Sequence, residues 1–199
     1  MENNLPQNKK ALFWLSGAHF INDIYTGVLN PIMPFIAAKI GISMAIATII
    51  LTISHIFSSL LQPLFGFFAD NIVKRSFIFW GLILSSIFIP LSALAHNPFI
   101  LVLFIIFGSI GSSLFHPQAL GFASKFAQKD SAGKSMAVFV AMGTLGYSMG
   151  PVVSSAITQF LGMPKMPLMT FLGIVWALIM FSFVPKLSLS EKVINKINF

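Results

Sequence analysis

The sequence contains no cysteine and few charged side chains, and each absence removes a class of protein. Without cysteine there is no disulfide framework, thiolate metal site or cysteine nucleophile. Charged residues make up 9% of the chain, against roughly 25% in an average soluble domain. Hydrophobic residues make up 56%, including 22 Phe. This composition excludes a water-soluble globular domain and predicts a membrane protein.

The net charge of +7 does not indicate a nucleic-acid partner. Nucleic-acid-binding surfaces gather Lys and Arg on one face, whereas the basic residues here lie singly or in pairs between apolar stretches. We therefore expect membrane lipid and a small molecule as partners, and no nucleic acid.

Six apolar stretches are long enough to cross a bilayer as helices. A spanning helix needs about 20 mainly apolar residues, and its backbone polar groups are satisfied internally, which isolated strands cannot achieve in lipid. The first stretch is too long for the apolar region of a signal peptide. We predict an all-α protein with a six-helix transmembrane domain at 1–185 and a basic tail at 186–199. The predicted spans are 11–38, 44–68, 77–94, 98–122, 136–160 and 167–184.

The distribution of basic residues predicts the orientation of the helices. With the amino terminus in the cytoplasm, ten basic residues fall inside and two, Lys39 and Lys165, fall outside, as the positive-inside rule requires. Both termini are therefore predicted to be cytoplasmic, in a cell (inner) membrane. The ten inside residues are Lys9, Lys10, Lys74, Arg75, Lys125, Lys129, Lys134, Lys186, Lys192 and Lys196.

The joint after the second span carries Gly66, Asp70, Lys74 and Arg75. This order of Gly, Asp and paired basic residues resembles the loop signature of the major facilitator superfamily, in which it forms a gating loop. Asn71 stands where the family usually has Arg. A second interpretation is a positive-inside stop in which Asp70 only ends a helix.

The fifth span contains Gly143, Gly146, Gly150 and Pro151. Small residues four apart let two helix backbones approach closely, and proline removes a backbone donor and bends the helix. The run from Gly146 to Pro151 is similar to the Gly-x-x-x-Gly-Pro signature of antiporters in the same superfamily. We therefore predict a close helix contact at these glycines.

Three further segments resemble exporters of the fosmidomycin-resistance type: HFIND at 19–23, SSLLQP at 58–63 and GSSLFHP at 111–117. The resemblance implies the amino-terminal half of a superfamily fold, built as 3+3 inverted repeats, with a second half completing the solute pathway. In these exporters the His-Pro pair is often followed by Glu, whereas Gln118 follows it here. Since Gln does not ionise, it has no proton to release.

Asp23 is the acidic residue that lies well inside a predicted span, near mid-membrane. A charge there costs at least about 2.5 kcal/mol, so such a residue normally faces the bundle interior or water and indicates function. His19 lies one helical turn earlier and Asn22 is adjacent, so His19 should approach Asp23. The other interpretation is a neutral Asp23, bonded to His19, that only holds the bundle together.

Four more polar residues complete the predicted proton and substrate path: His55, Gln62, His116 and Gln118. A lone buried His is more often a satisfied hydrogen-bonding residue than a ligand. Only His19 and Asp23 form a pair at metal-ligand spacing, so we predict no metal and no cofactor.

The function that these patterns favour is secondary active transport, with export of a small organic solute or drug in exchange for protons. The missing half could be another six-helix chain or a second copy of this one. The alternative is a non-transporting membrane protein, either truncated or an assembly partner of another chain. An intramembrane enzyme has less support, because no metal cluster or catalytic pair appears in the sequence.

Overall fold

The computed structural model describes residues 8–71, 74–127 and 131–185, and within these ranges the regular structure is helical. The predicted tail at 186–199 lies outside the described residues. Short 3-10 helices at Ser92–Leu94 and Met163–Leu168 follow α3 and precede α6. The helices are α1 (Lys9–Ile40), α2 (Met44–Asn71), α3 (Arg75–Leu91), α4 (Pro98–Phe126), α5 (Ala132–Phe160) and α6 (Met169–Phe183).

Asparagine and glycine cap the ends of two of the helices. Asn8 and Asn97 each accept a hydrogen bond from the backbone N–H three residues on, at 2.9 Å, and so cap α1 and α4. Gly41 ends α1 with φ of 73°, a left-handed conformation that favours glycine. The prediction of six helices is confirmed. α5 begins four residues before its predicted start, because a helix continues through the polar residues beyond the hydrocarbon layer.

The first helix is the centre of the bundle. α1 packs against α5, α6, α4 and α3, and 17 of its 32 residues are buried. α4 packs in turn against α2 and α3. The first three helices therefore pack around α4, and α5 and α6 of the second three pack around α1. This interleaving is what inverted repeats of three helices produce.

Five of the described helical stretches are long and apolar enough to cross a membrane, and α1 is not among them. The physical reason is its polar content, because it carries His19, Asn22 and Asp23 within the bundle. These three side chains face neighbouring helices instead of lipid, so α1 depends on those neighbours. α2 is the opposite case, since only 11% of the residues in its most apolar stretch are buried.

Glycines bring α5 onto α1. A Cβ at Gly146 would overlap the Phe20 carbonyl, and one at Gly150 would lie 2.7 Å from the Gly27 Cα. Both neighbours are backbone atoms, which cannot rotate away. The predicted close contact at the α5 glycines is therefore present, and α1 is the helix that it meets.

Basic residues collect at one end of the bundle. The Arg75 guanidinium at the start of α3 donates to the carbonyls of Phe181 and Val184 at the end of α6, at 2.9 and 2.8 Å. Lys39, at the opposite end, donates to the Ala93 carbonyl at 3.2 Å. Six described basic residues share the Arg75 end, and two, Lys39 and Lys165, lie at the other. The six are Lys9, Lys10, Lys74, Arg75, Lys125 and Lys134.

We expect the Arg75 end to be cytoplasmic, because basic residues near membrane spans are retained on that side. A β-galactosidase fusion after Phe199 should be active, and an alkaline phosphatase fusion at the same point should be inactive. The reverse pattern would refute the orientation. A fusion in the loop around Ser43 supplies the matched control, since there the two reporters should exchange their activities.

Candidate functional site

The carboxylate of Asp23 lies between two imidazoles. Asp23 Oδ2 is 3.3 Å from His19 Nε2 on the same helix, and Asp23 Oδ1 is 3.0 Å from His116 Nε2 on α4. The predicted approach of His19 to Asp23 is thus present. His116 is added to it by the packing of α4 against α1. We call His19, Asp23 and His116 the proton cluster.

The other ring nitrogen of each histidine is held by a backbone carbonyl. His19 Nδ1 donates to the Phe139 carbonyl of α5 at 2.9 Å, and His116 Nδ1 donates to the Ser112 carbonyl at 2.8 Å. A carbonyl oxygen only accepts, so each Nδ1 must carry its hydrogen. Each Nε2 therefore carries a hydrogen only when its ring is protonated.

This arrangement makes the contacts to Asp23 depend on protons. With both imidazoles protonated, each Nε2–H donates to one carboxylate oxygen, which gives two charge-assisted hydrogen bonds. With both neutral, an Nε2 lone pair of each ring faces the carboxylate, and a hydrogen bond between Asp23 and an imidazole then requires a proton on Asp23. The hydrogen bonds within the proton cluster are therefore complete when both imidazoles are protonated, and they are lost when the cluster loses its protons.

Asn22 anchors the proton cluster to two other helices. It is fully buried, and its Nδ2 donates to Asp23 Oδ1 at 3.0 Å and to Ser112 Oγ at 3.2 Å. Its Oδ1 accepts from Ser85 Oγ of α3 at 2.8 Å. Both ends of the amide are satisfied, so Asn22 fixes the position of Asp23 relative to α3 and α4.

The fifth helix forms the wall beside His19. The Phe139 ring stacks on the imidazole with centroids 4.4 Å apart, and Gly143 leaves room for the proton cluster. A Cβ at Gly143 would lie 2.8 Å from Asp23 Oδ2 and would overlap His19. Gly143 therefore does more than allow helix packing, because it leaves space for the side chains of His19 and Asp23 between α1 and α5.

Exposure within the proton cluster is uneven. The side chains of His19 and Asp23 are 10% and 13% exposed, whereas that of His116 is 29% exposed. His116 is therefore the most exposed member of the cluster, and its Nε2 lies 3.0 Å from Asp23 Oδ1.

The remaining residues of the predicted path are not bonded to Asp23 within the described ranges. His55 on α2 is exposed and Gln62 is half-buried. Gln118 is 1% exposed, and its Oε1 has no partner among the described residues. Their roles remain predictions.

In the predicted gating loop, Gly66 and Lys74 are described, and Arg75 bonds the end of α6 as given above. The side chain of Asp70 lies outside the described residues. The gating role of this segment stays a prediction.

The proton cluster also has the chemistry of a metal site. His19, Asp23 and His116 offer one ligand atom each, all within 4.8 Å of one another. The sequence predicted no metal, because His116 is 93 residues from Asp23 and only its tertiary position completes the set. Catalytic zinc sites use three protein ligands of these kinds. A test of transport must therefore distinguish a proton from a metal ion.

A profile of the Major Facilitator Superfamily matches residues 15–196, nearly the whole chain. The chain belongs to the Major Facilitator Superfamily. It is thus a multi-pass membrane protein, and the superfamily resemblance of its motifs is confirmed. The superfamily fold accounts for the interleaved helices.

Solved structures of the superfamily share the fold. The peptide transporter POT in complex with sulfate has a TM-score of 0.75 at 18% identity, and the match covers 94% of this chain and 44% of that one. A POT family transporter in complex with 5-aminolevulinic acid has a TM-score of 0.74 at 18% identity, covering 98% of this chain and 45% of that one. This superfamily chain therefore spans less than half of the length of these transporters. Among curated proteins, none matches.

Proposed function

We propose that this chain forms the first half of a secondary transporter that exports a small organic solute or drug in exchange for protons. The observation that carries the proposal is the proton cluster, a buried carboxylate whose two imidazole contacts each require a proton. The Gly-x-x-x-Gly-Pro signature on α5 and the fosmidomycin-resistance segments favour antiport and drug efflux.

The proton cluster supplies a coupling mechanism. Asp23, His19 and His116 belong to α1 and α4, the helices that occupy corresponding positions in the two repeats. A proton gradient moves solute only if the two conformations of the carrier hold protons differently. Separating α4 from α1 would remove His116 from Asp23, so the carboxylate would lose one of its two imidazole contacts and keep only His19 and Asn22 of its own helix. The protonated cluster therefore favours the closed arrangement of these two helices.

A second six-helix unit would form the opposite wall of the solute pathway. We expect this second unit to contact α2, because many large apolar side chains of α2 are exposed. The unit could be contributed by further sequence, another chain or a second copy of this one. The exposed large side chains on α2 are Met44, Ile46, Ile49, Ile53, Ile56, Leu60, Leu64 and Phe67.

Solute-dependent proton release from everted membrane vesicles tests the proposal, with fosmidomycin as the probe. Respiration acidifies the vesicle interior, and a pH-sensitive acridine dye reports the gradient. In vesicles containing the transporter, fosmidomycin should dissipate part of the gradient, because each solute molecule that enters is exchanged for protons that leave the vesicle. Vesicles without the protein are the control. Solute accumulation that persists after a protonophore collapses the gradient would contradict proton antiport.

A chelator distinguishes protons from a metal ion in the same assay. EDTA with a membrane-permeant chelator should leave the fosmidomycin response unchanged. Loss of the response that added Zn²⁺ restores would assign the proton cluster to metal binding. A folded protein with no response to any solute of a varied panel would favour the non-transporting assembly partner.

A further inference from the structure

A lateral groove opens between α5 and α6, with α1 as its floor. Its volume is about 660 Å³, and most of its lining is apolar. Trp176 of α6 closes one side by packing its ring against Gly17 of α1. The apolar lining residues are Leu12, Phe13, Phe20, Ile21, Val138, Met142 and Trp176.

The mouth of the groove is basic and polar. Lys9 and Lys134 line it at the beginnings of α1 and α5, and both are exposed. Ser131 and Ser135 lie beside Lys134 in the same lining. The groove therefore pairs two positive charges and hydroxyl groups at one end with hydrocarbon side chains along its length. An amphipathic, anionic molecule complements this pattern.

The length of the groove corresponds to one leaflet of a bilayer. Along α1 the lining runs from Lys9 to Ile21, about 18 Å at the helical rise. Half of the hydrocarbon core is about 15 Å thick. A molecule whose charge sits at the lysines therefore extends its apolar part to the middle of the membrane, as a phospholipid does.

The groove is separate from the proton cluster. The cluster lies on the side of the α1–α5 contact that faces α4, where His116 reaches Asp23. The groove lies on the side that faces α6, where Trp176 lines it. No residue of the proton cluster belongs to the lining.

We propose that this groove is a binding site for an anionic phospholipid, with the phosphate between Lys9 and Lys134 and an acyl chain along Leu12, Phe20 and Met142. Basic pockets between membrane helices bind anionic headgroups by this combination of charge and apolar depth. The site does not depend on the proposed transport function, since it requires only a folded protein in a membrane.

Lipid binding by the purified full chain in detergent tests the site. Phosphatidylglycerol should remain bound in native mass spectra and should raise the melting temperature more than phosphatidylcholine does. Replacing both lysines, Lys9→Gln with Lys134→Gln, should weaken phosphatidylglycerol binding at least tenfold. Lys125→Gln is the matched control, because Lys125 is also exposed at this end but does not line the groove.

A second pair of variants tests the acyl chain independently of charge. Val138 is 53% exposed inside the groove, and Val140 is 51% exposed on another face of the same helix. Val138→Trp should fill the groove and displace the lipid, whereas Val140→Trp should leave binding unchanged.

Three results would each overturn the lipid site. The first is equal binding of phosphatidylglycerol and phosphatidylcholine, which would indicate ordinary boundary lipid. The second is stabilisation by free glycerol phosphate equal to that by the lipid, which would indicate a site for small anions. The third is full lipid affinity in Val138→Trp, which would leave the groove without an occupant.

Discussion

Replacing Asp23 by Asn is expected to abolish proton-driven transport while the protein still folds and inserts. The amide keeps the shape of the side chain and can still contact His19 and His116, but it cannot exchange a proton. We expect the rate of gradient-driven transport to fall by at least about 100-fold, the scale on which a positioned proton-transfer group contributes. Everted vesicles with fosmidomycin and a pH-sensitive dye measure this loss.

Solute exchange without a gradient separates a coupling role from a structural one. Exchange needs the two conformations but no net proton movement, so Asp23→Asn should retain it. Asn22→Asp supplies a comparison, because it adds a carboxyl group beside Asp23 and disturbs the bonds to Ser85 and Ser112. Proton-driven transport by Asp23→Asn at the unmodified rate would return Asp23 to a packing role.

Gly150→Leu should prevent the folded bundle from forming. The first side-chain atom would lie 2.7 Å from the Gly27 Cα and 2.8 Å from the Ile24 carbonyl oxygen, and neither backbone can rotate away. Overpacking a rigid contact typically costs about 1–3 kcal/mol, and three further heavy atoms make the larger figure the lower limit here. We expect loss of the monodisperse peak in detergent and a marked fall in the yield of membrane-inserted protein.

The same substitution at Gly121 is the control. Gly121 is also helical, in α4, but a Cβ there meets nothing within 4 Å. Gly121→Leu should therefore be neutral or slightly stabilising, since leucine favours helix over glycine by roughly 0.5–1 kcal/mol. Equal stability of the two leucine variants would show that the α1–α5 contact does not require glycine.

The helices could be predicted from the sequence because the bilayer imposes a strict requirement on length and apolarity. The stretches at 44–68 and 98–122 correspond closely to α2 and α4, which begin at the predicted residues. The ends were harder to predict, as at α5, because charged residues continue a helix beyond the lipid. α1 was recognised through its length, although its composition is the least apolar.

The site could be predicted only in its local part. His19 and Asp23 are one turn apart, so their contact follows from helix geometry alone. The contact of His116 with Asp23 joins residues 93 apart and depends on the packing of α1 against α4. Ser85 and the Phe139 carbonyl could not be identified either. A serine in a span usually bonds its own helix, and a backbone carbonyl has no sequence signal.

The polarity of α1 has a consequence for biosynthesis. A ribosome delivers α1 to the membrane before the other five helices, when His19 and Asn22 are the polar partners available to Asp23. His116 follows after 93 more residues, and the α5 glycines later still. Until then, α1 carries a polar side chain that costs about 2.5–3.5 kcal/mol in lipid. The packing around α1 is therefore completed only when α4 and α5 arrive, so the earliest of these six helices to be synthesised is among the last to be fully packed.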